Sequence, residues 1–196
     1  LAEGRIFDNA TLTRADQELR RQYLARGYYG ASVKTTVTPL ERNRVRITVN
    51  VDEGSASSIA SIRITGNHLY DSDDLLDLMQ LGTPNWFSWY TKRDLYSREK
   101  LAADLETIRS FYMNQGYLDF KIDSVQVSVA PDKSNVYITI NLTEGEKYTI
   151  RSAKLQGDLL GLDDQLNALV TLKAGEIYNA QAVKDVSTAL TDKLST

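Results

Sequence analysis

The sequence predicts an α+β fold built from tandem repeats of a strand-helix-helix-strand-strand unit. Two Gly-Tyr pairs, at Gly27 and Gly116, lie 89 residues apart, and two Glu-Gly pairs, at Glu53 and Glu144, lie 91 apart. A strand-like segment ending in glycine and a polar residue, Ile62–Asn67, also recurs 91 residues later. A fixed spacing of this kind indicates copies of one structural unit along the chain.

The repeat divides the chain into one complete unit and two partial units. Residues 55–145 hold all five elements, whereas residues 1–54 hold only the second helix and the last two strands. Residues 146–196 hold an opening strand and two helices. We therefore expect the chain to be part of a longer array.

Each long helix carries the same start signal and two carry the same stop. An Asp, Ser or Asn follows an aromatic residue at Asp8, Ser97 and Asn179, which is typical of an N-cap. Apolar residues then recur at helical spacing. Gly27 and Gly116 stand where a left-handed residue would end the helix, a conformation that glycine adopts without strain.

The strands alternate with a period of two residues. Val136, Ile138, Ile140 and Leu142 form one apolar face of the last strand in the complete unit. In the strand before it, the apolar positions change phase after Ile122, which predicts a bulge at Asp123–Ser124. Counting chain directions gives a three-stranded mixed sheet of order 1-3-2, with two helices on one face and the second strand at an edge.

Three further segments complete the pattern. The acidic run from Asp71 begins a short helix expected over 72–81, and 153–157 is the expected opening strand of the last unit. The long loop at 83–95 contains an unusual density of aromatic residues. These aromatic residues are Trp86, Phe87, Trp89 and Tyr90. They either pack over the helix pair or contact a partner.

The composition excludes several classes of function. There is no cysteine, the formal net charge is −3, and no apolar run approaches the roughly 18 residues of a membrane span. His68 is the single histidine, and we expect the acidic residues on exposed helix faces and caps. We therefore expect no catalytic residues, no metal, no cofactor and no nucleic-acid partner. A KH nucleic-acid module shares the element order, but its Gly-x-x-Gly loop is absent at Gly82.

Several long segments resemble the POTRA (polypeptide-transport-associated) domains, and most closely those of the BamA family. They are Asp104–Tyr117, Val37–Val45, Ile138–Gly145 and Ile62–His68. In that family five POTRA domains precede a membrane barrel, which supplies the only membrane attachment. The resemblance implies that this chain covers part of the second, the whole third and part of the fourth domain. POTRA arrays of two-partner-secretion or TamA-like transporters are the alternative.

The resemblance implies a periplasmic, non-enzymatic role in outer-membrane protein assembly. The partners implied are unfolded outer-membrane proteins, a BamB-like scaffold lipoprotein and other assembly-machine lipoproteins. The family's contact region for the scaffold lipoprotein maps to Leu81 and the strand from Val125 to Val129.

The exposed edge strand, 120–130, is the predicted binding site, because its unpaired backbone groups could bind an extended segment by β-augmentation. The alternative is an edge that is merely protected against aggregation. The predicted partner-binding residues are Leu81, Phe120, Ile122, Asp123, Ser124, Val125, Gln126, Val127, Ser128 and Val129.

Overall fold

The computed structural model describes residues 6–85 and 92–195. The helices are α1 (Asn9–Ala25), α2 (Ser72–Asp77), α3 (Arg98–Asn114), α4 (Asp163–Leu169) and α5 (Ala180–Leu194). The strands are β1 (Ser32–Leu40), β2 (Arg44–Asp52), β3 (Ser58–Thr65), β4 (Lys121–Val129) and β5 (Asn135–Thr143). The loop residues Trp86, Phe87, Trp89 and Tyr90 lie outside the described residues, so both interpretations of that loop remain predictions.

The predicted helix signals are confirmed. The side chains of Asp8, Ser97 and Asn179 each accept a hydrogen bond from a backbone N–H two or three residues later, at 2.9–3.3 Å. Gly27 and Gly116 have φ angles of 82° and 98°. After each glycine, the tyrosine N–H reaches the carbonyl of the residue five positions earlier at 3.0 Å. This pattern ends both helices with a Schellman motif.

The complete unit contains the predicted mixed sheet, in the order β3-β5-β4. Ser58 donates to Ser134 and Thr65 contacts Asn141, so β3 and β5 run parallel. The inner face of the central strand is formed by Val136, Ile138, Ile140 and Leu142, all at most 4% exposed. The strand order and the apolar face predicted from the sequence are both confirmed.

The first unit contributes a regular hairpin of β1 and β2. Its antiparallel register is unbroken from Ser32 opposite Asp52 to Leu40 opposite Arg44. The pairing places Val33 opposite Val51 and thus brings these two valines onto one face. Val33 is buried, whereas Val51 is 38% exposed.

Two predicted elements differ in the structure. Helix α2 ends at Asp77 instead of continuing to Leu81. A continued helix would place Leu81 about 240° around the axis from the buried Leu75, because each residue turns the chain by roughly 100°. The early end of the helix allows Leu81 to be buried as well as Leu75, and each is fully buried.

The expected opening strand at 153–157 is not formed. In this region an isolated bridge pairs Thr149 with Ile177. A β-strand requires a hydrogen-bonded neighbour, and the described residues that follow form helices α4 and α5 rather than a neighbouring strand.

The residue contacts cluster in two compact units. The first comprises residues of 1–62, 80–103 and 126–138, with Ile59 and Ile138 in its core. The second comprises residues of 63–79, 104–125 and 139–196, with Ile108 and Leu166 in its core. The repeat boundaries at 1–54, 55–145 and 146–196 remain a prediction.

The segments after the two Glu-Gly pairs use the same backbone hydrogen bonds. Ser57, which is fully buried, donates its N–H to the carbonyl of Gly27 at 2.9 Å. Tyr148, 91 residues later, donates to Gly116 at 2.9 Å. The carbonyl of Ser57 in turn accepts from the N–H of Tyr96 at 3.1 Å, and that of Tyr148 accepts from the N–H of Tyr178 at 3.0 Å. The repeat in the sequence is therefore also a repeat in hydrogen bonding.

Candidate partner-binding edge

Within the described residues, strand β4 has one neighbour, β5, and forms an edge of the three-stranded sheet. Ala130 donates its N–H to Asn135 at 2.9 Å, so the backbone groups of Ala130 point towards β5. Backbone groups alternate in direction along a strand, and those of Val125, Val127 and Val129 therefore point outwards. Among the described residues, no strand lies on that side.

The side chains along β4 alternate between half-buried and exposed. Ile122, Val125, Val127 and Val129 are half-buried on the inner face. The exposed residues are Lys121, Asp123, Ser124, Gln126 and Ser128. An incoming strand would thus meet outward backbone groups flanked by polar side chains on one face and valines on the other.

Two predicted site residues have buried side chains. Leu81 is 0% exposed and Phe120 is 4% exposed. The ring of Phe120 stacks on that of Tyr112 with a centroid distance of 4.3 Å and an interplanar angle of 11°. Neither side chain offers a contact surface as we expected, because the apolar core covers both.

The predicted bulge is visible in the direction of two successive side chains. Ser124 accepts a hydrogen bond from Asn141 at 2.6 Å, and Asp123 accepts one from Thr143 at 2.6 Å. Asn141 and Thr143 lie two residues apart on β5 and share its exposed face. Asp123 and Ser124 consequently point to the same face, which requires a surplus residue in β4.

A buried carboxylate directly follows strand β5. Glu144 is 7% exposed and accepts from the backbone N–H groups of His68 and Leu69 and from the hydroxyl of Tyr112. Burial, followed by the hydrogen bond to Glu144, raises the pKa of Tyr112 above its ordinary value. Sequence reasoning missed this group, since we expected acidic residues on exposed faces. Asp104, 1% exposed, is a second exception.

The opposite edge of the sheet is partly covered. Ile59 of β3 donates its N–H to the carbonyl of Asp94 at 2.7 Å, and Ser58 forms a bridge with Leu95. These contacts occupy the outward groups at the beginning of β3. The edge at β4 is therefore the more accessible of the two.

No group of three or more His, Cys, Asp and Glu side chains in 6–85 and 92–195 could hold a metal ion. No helix in these ranges has the length and apolar character needed to cross a membrane.

Comparison with known proteins identifies the repeated unit. The sequence model of the POTRA family, described as a surface antigen variable number repeat, matches residues 1–54 and 57–145. The chain belongs to the POTRA family. The KH alternative has no support from this match.

Two relatives of this chain are named as outer membrane protein assembly factors. The chain is 33% identical over 187 residues to outer membrane protein assembly factor BamA of Neisseria meningitidis serogroup B, which covers 95% of this chain and 24% of the relative. It is 28% identical over 194 residues to BamA of Buchnera aphidicola, covering 98% of this chain and 31% of that protein. The chain thus spans less than a third of the length of either relative.

A solved structure shares the arrangement of POTRA elements. The crystal structure of Haemophilus influenzae BamA POTRA3-5 matches with a TM-score of 0.58 and 25% identity, covering 97% of this chain and 72% of that one. The predicted resemblance to the POTRA domains of the BamA family is therefore confirmed.

Proposed function

We propose that this chain is a periplasmic, non-enzymatic module of the outer-membrane protein assembly machinery. The proposal is supported by POTRA membership and by similarity to proteins named as outer-membrane assembly factors. That naming favours an assembly factor over a two-partner-secretion or TamA-like transporter. Within the family's five-domain array, the chain would correspond to part of the second, the whole third and part of the fourth domain.

The partners are unfolded outer-membrane proteins, which bind by adding a strand to β4. The observation that carries this proposal is the position of β4 at the edge of the sheet. The outward N–H and C=O groups of Val125, Val127 and Val129 can bond an extended segment of any sequence, because only its backbone is read. Such tolerance suits a module that receives many different barrel strands.

The same edge is the proposed docking site for a BamB-like scaffold lipoprotein. The exposed side chains of Gln126 and Ser128 and the half-buried valines would then supply the side-chain contacts that backbone pairing lacks. Leu81 is buried and would contribute by supporting the core rather than by direct contact. Other assembly-machine lipoproteins would bind elsewhere on the array.

A proline substitution tests strand addition at this edge. Val127→Pro removes an outward N–H that makes no bond to β5, so the sheet should keep its own hydrogen bonds. We expect the affinity for a short synthetic peptide of alternating valine and threonine to fall at least about tenfold, since one lost hydrogen bond and local distortion together exceed 1.4 kcal/mol.

The matched control is Val127→Thr, which keeps the backbone donor and the β-branched shape. Lys121→Ala, before the bulge, should also bind normally. Binding would be followed by heteronuclear NMR titration. Equal affinity of the proline and threonine variants, or shifts confined to the helical face with Gln126–Val129 silent, would reject the proposal.

A further inference from the structure

A network of polar side chains crosses the exposed face of the sheet at the level of the bulge. The amide oxygen of Asn141 accepts from the Thr65 hydroxyl on β3, while its amide nitrogen donates to Ser124 on β4 at 2.6 Å. Thr143, on the same face of β5, donates to Asp123 at 2.6 Å. The central strand thus holds both exposed side chains of the bulge.

Among the described residues, the first repeat has an asparagine at the equivalent position but lacks both the hydrogen bonds and the bulge. Asn50 occupies the position equivalent to Asn141, 91 residues earlier. No side-chain hydrogen bond joins Asn50 to another described residue, and the register of β1 and β2 has no bulge. An asparagine at this position is therefore not sufficient, and the bonds to β4 are particular to the complete unit.

The change of phase between the apolar residues of β4 requires one surplus residue in the strand. It does not by itself fix the position of that residue. Ile122 and Val125 are both half-buried on the inner face, so the two residues between them must share the exposed face. A bulge held only by this phase could exchange between neighbouring positions. The bonds from Asn141 and Thr143 secure both surplus side chains at once.

Beyond the bulge, the strand has a different character. No side chain from Val125 to Val129 makes a hydrogen bond to the described part of the protein. Asp123 is held further by Lys121, whose ammonium group lies 3.7 Å away. Strand β4 therefore consists of a secured half at Lys121–Ser124 and an open half at Val125–Val129.

We propose that Asn141 and Thr143 form a clamp that fixes the bulge and confines strand addition to Val125–Val129. The limiting role rests on the proposed function, whereas the fixing of the bulge does not. A bulge breaks the alternation of outward backbone groups, so an added strand that pairs with the open half has no continuous ladder past Ser124. The clamp would thereby set where an incoming strand stops and in which register it binds.

Amide hydrogen exchange of the chain alone tests the clamp. In the double variant Asn141→Val, Thr143→Val, we expect exchange of the Asp123 and Ser124 amides to accelerate at least about tenfold, corresponding to roughly 1.4 kcal/mol of lost local stability. Both substitutions introduce a β-branched residue that suits a strand. The single variant Thr143→Val removes one of the bonds and should show an intermediate effect.

The control is Thr139→Val, on the same strand and the same face, where the threonine side chain makes no hydrogen bond to the described residues. Exchange at Asp123 and Ser124 should remain unchanged in this variant. If the double variant exchanged no faster than Thr139→Val, the clamp would be refuted.

Titration with the alternating valine-threonine peptide then tests the limiting role. In the unmodified chain the shift changes should end at Val125, whereas in the double variant they should extend to Ile122. A footprint ending at Val125 in both proteins would overturn the limit on strand addition. Absence of peptide binding in every protein would refute the proposed function and the limit with it, while exchange would still decide whether the clamp holds the bulge.

Discussion

The tyrosine-glutamate hydrogen bond occurs in both repeats at the same length but in different surroundings. The hydroxyl of Tyr112 donates to the buried Glu144 at 2.8 Å, and that of Tyr23 donates to the exposed Glu53 at 2.8 Å. Tyr112 is 0% exposed. Replacing each tyrosine with phenylalanine removes one hydroxyl and keeps the ring, so the pair isolates the effect of burial.

The expected costs differ because water can replace only one of the two hydroxyls. A hydrogen bond to a charged group contributes about 1.5–3 kcal/mol, and a buried carboxylate that loses a donor is not resolvated. Glu144 retains two backbone donors, from His68 and Leu69, which limits the loss. We expect Tyr112→Phe to cost about 1.5–2.5 kcal/mol and Tyr23→Phe less than about 0.5 kcal/mol.

The assay combines urea unfolding, followed by circular dichroism, with amide exchange of His68 and Leu69. Both amides donate to Glu144, so their exchange should accelerate in Tyr112→Phe and stay unchanged in Tyr23→Phe. Equal losses of unfolding free energy in the two variants would refute the argument that burial of Glu144 gives this bond its strength.

Three further predictions concern the core, a tight turn and alkaline pH. Ile108→Ala should lower the free energy of unfolding, measured with urea, by about 2–5 kcal/mol, and Glu106→Ala, at an exposed position, by less than about 0.5 kcal/mol. Similar losses in the two variants would contradict the buried face assigned to α3. Gly66→Ala should lower the melting temperature more than Gly157→Ala. The new Cβ would lie 2.0 Å from the Leu142 carbonyl oxygen at Gly66, whereas nothing lies within 4 Å of it at Gly157. The reverse order of melting temperatures in thermal scans would contradict this packing. Burial, followed by the neighbouring Tyr29, raises the pKa of Tyr96 to about 12. Unfolded tyrosines ionise near pH 10, so the contribution of Tyr96 to stability is complete below about pH 10 and is lost towards about pH 12. The denaturant midpoint of Tyr96→Phe should therefore fall less steeply over that pH range than the midpoint of the unmodified chain. Equally steep falls in the two proteins would contradict the assignment.

Local signals made most of the fold predictable from the sequence. The caps at Asp8 and Asn179 and the stops at Gly27 and Gly116 depend on the chemistry of a few adjacent residues, and the repeat displayed each signal more than once. The phase change in β4 likewise located the bulge, since the period of two leaves no other way to bury Ile122 and Val125 together.

Features that depend on tertiary contacts could not be read in this way. Burial of Leu81 follows from the early end of α2, and burial of Glu144 follows from its meeting with a turn more than 70 residues away in the chain. The bonds of Asn141 and Thr143 had a visible signal, because both are polar residues on the exposed face opposite the predicted bulge.

Residue-resolved amide exchange on β4, with and without the alternating valine-threonine peptide, tests strand addition most directly. The outward amides of Val125, Val127 and Val129 should gain at least about tenfold protection when the peptide is bound, equivalent to about 1.4 kcal/mol. The amides of Gln126 and Ser128, which already face β5, should change little. Uniform protection along β4, or protection that appears only on α3, would contradict the proposed pairing at this edge.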